Sequence, residues 1–149
     1  MSDMRKNESL SLDNQICFSL YSAANAMVRT YRPLLEVLEL TYSQYLAMLV
    51  LWEHDGISVK ILGEKLHLDS GTLTPLLKRL EGKGLVIRAR SKEDERMRVL
   101  NLTEQGCLLK GKAQSIPEMM KCKIQGMDMD LATFKQTCDQ LYQVLNGEK

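Results

Sequence analysis

Four cysteines, five tyrosines and a dense run of arginine and lysine carry most of the chemistry open to this 149-residue chain. The cysteines are Cys17, Cys107, Cys122 and Cys138, without a Cys-x-x-Cys pair or a paired-histidine motif. That spacing argues against zinc, and His54 and His67 are too isolated to nominate as ligands. Neither a metal nor another cofactor is expected. Cys17 falls in the first turn or so of a predicted helix, where the macrodipole and free amides favour a thiolate. A cysteine on an apolar helix face is also commonly an inert small hydrophobe, so the thiol by itself leaves both roles open. The cations point in one direction. Between Lys78 and Arg98 stand Lys78, Arg79, Lys83, Arg88, Arg90, Lys92, Arg96 and Arg98, against Glu81, Glu93, Asp94 and Glu95. This local excess of four positive charges lies in a chain whose net charge is only +1. Basicity concentrated in this way is the footprint of a nucleic-acid surface. Just before it, Ser70, Thr72 and Thr74 offer small hydroxyls able to bond phosphates or base edges.

The elements that would position these groups lie between Ser58 and Gly106. Ser58 is a plausible N-cap for a short helix with Val59, Leu62 and Leu66 on one face. A turn through His67, Leu68 and Asp69 leads to a second helix over 71–81, stopped by Gly82–Lys83–Gly84. Two β-favouring runs follow, 85–90 and 97–102, around the charged turn 91–96. Helix, turn, helix and hairpin is the order of a winged helix-turn-helix, a mainly α fold with a small β-hairpin. The competing reading is an α+β domain whose charged hairpin is merely solvated; the placement of charge and hydroxyls favours DNA binding.

Length and composition predict one globular domain, with 44% hydrophobic and 26% charged residues. Residues 1–15 are polar and lack the apolar core of a secretion signal, and residues 1–10 read as a disordered arm. The longest apolar run, Tyr45–Trp52, is far short of the ~20 residues of a membrane span, so no membrane partner is expected. The expected compartment is therefore the reducing cytoplasm, where any disulfide would be transient. Ser11 or Asp13 is expected to cap a first helix with Ile16, Leu20, Ala24, Met27, Val28 and Tyr31 on its apolar stripe, ended or kinked by Pro33. Thr41 and Gln44 read as a capping box for a buried helix over 42–54, closing at Gly56. Pro75 lies near the start of the 71–81 helix, where a missing amide costs little. Thr103 should cap a long helix kinked near Pro117. Met119, Met120, Met127 and Met129 read as gap-filling core rather than a ligand site. A last helix carries Leu131, Phe134, Cys138, Leu141, Tyr142 and Leu145 on one stripe behind Asp128 or Asp130. Residues 41–106 thus form the DNA-reading module, and 11–40 and 107–149 supply terminal helices whose stripes one small core cannot cover. Packing them against a second copy makes a homodimer, whose two-fold axis suits a palindromic operator in double-stranded DNA.

The run LDSGTLTPLLKRLEGKGLV followed by SKEDERMRVLNLTEQG resembles the MarR family of bacterial repressors, and its OhrR branch most of all. QICFSLYSA, with Tyr31 and Tyr42, extends the resemblance to the N-terminal helix. The resemblance implies that the 71–81 helix enters the major groove, with Ser70, Thr72, Thr74, Lys78, Arg79 and Arg90 on the DNA surface. It assigns Arg96 to the minor groove, braced by Asp94. It further implies that Cys17 is the thiol oxidised by an organic hydroperoxide, its thiolate bonded by the hydroxyls of Tyr31 and Tyr42. On one continuous helix Cys17 and Tyr31 are about 21 Å apart. They meet only if a partner helix runs antiparallel or the helix folds back at a sharp break, and the expected contact implies a site shared between subunits. Two-cysteine OhrR proteins carry a resolving cysteine in the C-terminal region, and Cys122, flanked by Lys121 and Lys123, matches it best. An intersubunit Cys17–Cys122 disulfide is then expected, with Cys138 buried on the core stripe and Cys107 close to the DNA-binding lobe.

Three functions compete at this stage. One is a thiol-switched repressor. Another is a MarR-type repressor released by a small apolar or phenolic ligand, with Cys17 incidental. The third is a thiol peroxidase, which leaves the wing unexplained.

Overall fold

Side chains that accept backbone amides open five of the helices. Thr41, Ser58, Asp69, Thr103 and Asp130 accept the amides of Gln44, Ile61, Thr72, Gly106 and Thr133. Each satisfies a donor that the first turn of a helix leaves without an intrahelical partner. Thr41 adds the reciprocal bond, its own amide donating to Gln44 Oε1 at 3.1 Å. In the computed structural model, which describes residues 9–147, these caps start α2 (Tyr42–Glu53), α3 (Val59–Leu66), α4 (Ser70–Gly82), α5 (Glu104–Ala113) and α7 (Leu131–Leu145). The remaining helices are α1 (Ile16–Leu35) and α6 (Ile116–Lys123); β1 (Val86–Arg90) and β2 (Arg98–Leu102) form the hairpin. Of the arm expected over 1–10, residues 1–8 lie outside the described residues.

Four local expectations are corrected. Ser11 and Asp13 do not cap α1. Leu12–Asn14 makes a single 3-10 turn and the helix begins at Ile16. The side-chain amide of Gln15 donates back to the carbonyls of Ser9 at 2.6 Å and Ser11 at 3.2 Å, holding an extended break before the helix. Pro33 does not end α1, which continues to Leu35. Leu34 and Leu35 are buried, and their packing holds the last turn despite the missing amide. Pro75 is the sixth residue of α4, inside the helix and past the first turn, within which a missing amide would cost little. The expected kink near Pro117 is a complete break at residues 114–115, leaving Pro117 in the first turn of α6, where proline is tolerated.

The core is built from the facing sides of these helices. Met48 and Leu51 of α2, Leu62 of α3, Leu73, Leu77 and Leu80 of α4 and Leu100 of β2 are fully buried. Cutting one such leucine to alanine costs roughly 2–5 kcal/mol. The hairpin is antiparallel and pairs Val86 with Leu102, Arg88 with Leu100 and Arg90 with Arg98. Its other edge is held by the segment ahead of α3: Leu100 donates to the Ile57 carbonyl at 2.8 Å, and Ser58 bridges Val99. Two glycines are needed where they stand. Gly84 turns the chain out of α4 at φ +75°, and a Cβ on Gly106 would lie 2.2 Å from the Leu85 carbonyl oxygen. The Gly106 carbonyl in turn accepts from Trp52 Nε1 at 2.8 Å, tying α5 to α2.

Residues through Pro117 make one compact unit and those from Glu118 another. In the second unit no residue of α7 is buried, and Phe134 and Leu145 of its predicted stripe are exposed. Cys138 is half-buried, not buried as its place on that stripe implied. The methionine reading holds for Met120, which is buried, and fails for Met119, Met127 and Met129, which are exposed. Among the described residues no single helix is long and apolar enough to cross a membrane.

Candidate functional site

Helix α4 divides cleanly by face. Its leucines at 73, 76, 77 and 80 point into the core, so the helical repeat turns Ser70, Thr72, Thr74, Lys78 and Arg79 outward, and all five are exposed. The N-terminus of α4 is firmly fixed. Asp69 Oδ1 accepts the Thr72 amide at 2.7 Å, and that bond, with a second from the Thr72 side chain, holds the Asp69 carboxyl below the usual carboxylate range. Thr74 donates its hydroxyl proton to the Ser70 carbonyl at 2.8 Å. Toward a ligand it therefore presents an oxygen acceptor, while Ser70 keeps its hydroxyl at the helix tip.

Two of the cations counted in the basic stretch are spent inside the lobe. Arg88 Nε lies 2.7 Å from Glu81 Oε1, both partly buried. Lys83 donates to the Glu39 carbonyl and, at 2.9 Å, to Gln44 Oε1, fastening the end of α4 to the start of α2. Arg90, Arg96 and Arg98 remain exposed on the wing, with no ion pair among the described residues. Asp94 meets Arg96 at its backbone: Asp94 Oδ1 accepts the Arg96 amide at 3.0 Å. Ser91 Oγ accepts the Glu93 amide at 3.2 Å and faces the Asp94 amide at 3.4 Å, so the turn is held and the Arg96 guanidinium is left free to reach. Lys60, outside the candidate set read from the sequence, stands beside these residues in a groove with Arg96 and Arg98. No local pattern announces this, because the Ser58–Val99 bridge that brings it there spans the whole helix-turn-helix.

The thiol candidate has a different setting. Cys17 is exposed, the second residue of α1, behind an N-cap whose side chain makes no cap bond. Tyr31 lies on the same unbroken helix, about 21 Å away along its axis. Within one chain, therefore, Cys17 does not meet Tyr31. Tyr31 and Tyr42 do meet each other, with ring centroids 4.8 Å apart. Tyr45, absent from the sequence candidates, packs against Tyr31 at 5.8 Å and is almost wholly buried. Burial raises the hydroxyl pKa of all three above the ordinary tyrosine value, and in Tyr31 and Tyr45 neighbouring tyrosines raise it further. Each is thus a protonated O–H donor at neutral pH. The apolar stripe of α1 is left largely uncovered, with Ile16, Met27 and Val28 exposed. Cys122 and Cys138 belong to the second unit, Cys122 exposed near the end of α6.

The model of the transcriptional regulator SarA/Rot family matches residues 29–113. The organic hydroperoxide resistance transcriptional regulator of Bacillus subtilis (strain 168) is 55% identical over 112 residues, covering 75% of this chain and 76% of that protein. Among solved structures, reduced AbfR bound to DNA matches with a TM-score of 0.78 at 34% identity, over 96% of this chain and 97% of that one. Disulfide-formed AbfR, a protein also solved from Staphylococcus epidermidis, matches with a TM-score of 0.65 at 33% identity, over 97% and 99% of the two chains. MarR shares the fold, with a TM-score of 0.66 at 23% identity over 85% and 96%. With α4 presenting its polar face beside a charged wing, and relatives of this identity and coverage, the chain belongs to the MarR-type winged-helix family of transcriptional regulators, together with the organic hydroperoxide resistance regulators and the SarA/Rot group.

Proposed function

We propose that this protein is a homodimeric repressor that leaves its operator when an organic hydroperoxide oxidises Cys17. The observation that carries the proposal is the separation of the parts. An exposed thiol opens α1, while Tyr31 near the far end of the same helix packs against Tyr42 of α2, giving two tyrosine O–H donors there. A second copy running antiparallel along the uncovered stripe of α1 brings each Cys17 to the partner's tyrosine pair and covers the exposed apolar side chains. The name of the Bacillus relative, and the solution of AbfR both reduced on DNA and in a disulfide form, support the same reading.

The chemistry balances without an enzyme's turnover. The Cys17 thiolate attacks a peroxide oxygen of ROOH; the O–O bond breaks, Cys17 becomes a sulfenic acid, and RO⁻ leaves as ROH after taking a proton. Cys122 thiol then condenses with Cys17–SOH, forming the S–S bond and releasing water. In the reduced state Ser70, Thr72, Thr74, Lys78 and Arg79 of α4 face the major groove, while Arg90 and Arg96 serve the wing, with Asp94 fixing the turn. This work belongs in the cytoplasm, where the resting state of the thiols is reduced.

A gel shift on the DNA upstream of the protein's own coding sequence, with and without stoichiometric cumene hydroperoxide, tests the proposal. Binding that is lost on oxidation and restored by dithiothreitol is the expected result. Binding indifferent to peroxide would move attention to the groove of Val28, Arg32, Leu35, Tyr42 and Lys83 as the seat of a small releasing ligand.

A further inference from the structure

We infer that Lys60 and Arg98 form a seat for one backbone phosphate of DNA, between the start of α3 and the stem of the wing. The inference rests on the DNA-binding reading above and assigns two residues that reading leaves unused. It begins from the register of the hairpin. Val86/Leu102, Arg88/Leu100 and Arg90/Arg98 are cross-strand pairs two residues apart, so they share one face of the sheet. At the first pair that face is packed into the lobe, and at the second the arginine is neutralised by Glu81. At the third, two arginines stand directly opposite each other with no carboxylate paired to either among the described residues. Like charges so placed destabilise a hairpin. The fold supplies a counter-charge one pair earlier and supplies none here.

A third cation is brought to the same place. Because Ser58 bridges Val99, the first turn of α3 lies along β2, and Lys60 enters a groove with Ser58, Val59, Arg96, Met97 and Arg98. No carboxylate lines that groove. Glu95, which directly precedes Arg96, neither lines the groove nor pairs with a cation among the described residues, and Asp94 has an oxygen committed to the Arg96 amide. The site therefore holds positive charge that the folded chain leaves uncompensated, and an anion is the missing partner. The exposure of Lys60, Arg90, Arg96 and Arg98 indicates which anion. Exposed side chains in water hold a free ion weakly, whereas a phosphate delivered by DNA already docked on α4 arrives at high effective concentration. Filling the seat offsets the Arg90–Arg98 repulsion, so the stem of the wing stiffens as DNA binds.

The test is the salt dependence of binding by the reduced full-length dimer, read by fluorescence anisotropy on its upstream duplex and on a scrambled duplex. Each phosphate contact contributes about 0.9 to the slope of log affinity against log salt. The Lys60→Gln/Arg98→Gln variant should lose about 1 from that slope per half-site, weakening equally on both duplexes, while Arg98→Lys keeps the parent slope. A double variant with the parent's slope and affinity overturns the seat, and so does a loss confined to the upstream duplex, which would mean base reading. Lys60→Gln alone, at an exposed position, decides the matter if the double variant does not fold. A parent that binds neither duplex overturns the DNA-binding reading itself, and the seat with it.

Discussion

Cys17 and Tyr31 lie on one unbroken helix and are about 21 Å apart along its axis. If Tyr31 serves this thiol, it therefore does so from another copy of the chain. Peroxide sensing and dimerisation then become one structural problem, since the apolar face of α1 that a second copy would cover is also the face that would complete the site. Cys17→Ser should bind operator as the parent does and stay bound in peroxide, because serine has no sulfenic acid to form. Release that persists in this variant, read by gel shift, sinks the redox mechanism.

The packed pair Tyr31 and Tyr42 should set the speed of the switch rather than its existence. Burial keeps both hydroxyls protonated well above neutral pH, so each stays a donor through the physiological range. Removing either donor in Tyr31→Phe or Tyr42→Phe should slow oxidation of Cys17 several-fold, with DNA affinity unchanged. Stopped-flow consumption of peroxide measures the rate; parent-like kinetics in both variants would take the tyrosines out of the site.

Cys122 is the expected resolving thiol. After peroxide treatment, non-reducing gels should show a covalent dimer that disappears in Cys122→Ser. Such a variant has no thiol to resolve its sulfenic acid, so excess peroxide should carry Cys17 on to the sulfinic acid, which dithiothreitol does not reverse. A covalent dimer that survives Cys122→Ser and vanishes in Cys138→Ser would assign the role to the half-buried cysteine of α7 instead.

At the wing, Arg96→Ala should weaken operator binding about tenfold or more, as expected for loss of a groove-reading arginine worth roughly 1–3 kcal/mol. Asp94→Ala should do so more mildly, because it frees the backbone amide of residue 96 and loosens the turn. Isothermal titration on the upstream duplex separates the two. Equal binding by folded Arg96→Ala would exclude that side chain from the interface.

Gly106→Ala tests the packing beneath the wing. The added Cβ meets the Leu85 carbonyl oxygen at 2.2 Å, and relief requires α5 or the start of the hairpin to move. Loss of about 1–3 kcal/mol or more is expected, seen as a lower urea midpoint. Retention of the parent midpoint would show that the close approach of Gly106 to Leu85 yields without cost to the fold.

What the sequence determined by itself is what is encoded within a few residues. The caps at Thr41, Ser58 and Thr103, the stop at Gly84 and the alternation of the two strands depend on partners three residues away or across a short turn. For the same reason the polar face of α4 was legible: the spacing of its leucines dictates what faces outward. Local signals failed where a distant or competing contact overrode them. The start of α1 followed the back-bonding of Gln15, and the end of α1 followed the burial of Leu34 and Leu35 past Pro33. Tertiary structure alone decided which cations are spent and which are free. Arg88 and Lys83 look like their neighbours in the sequence, yet Glu81 and Gln44 claim them, while a bridge from Ser58 to Val99 sets Lys60 beside the wing. It also decided that Tyr45 packs behind Tyr31 and that Ile16, Met27 and Val28 of α1, with Phe134 and Leu145 of α7, remain exposed. Charge and apolar character are properties of a residue. Whether they are satisfied depends on what the fold brings within a few ångströms.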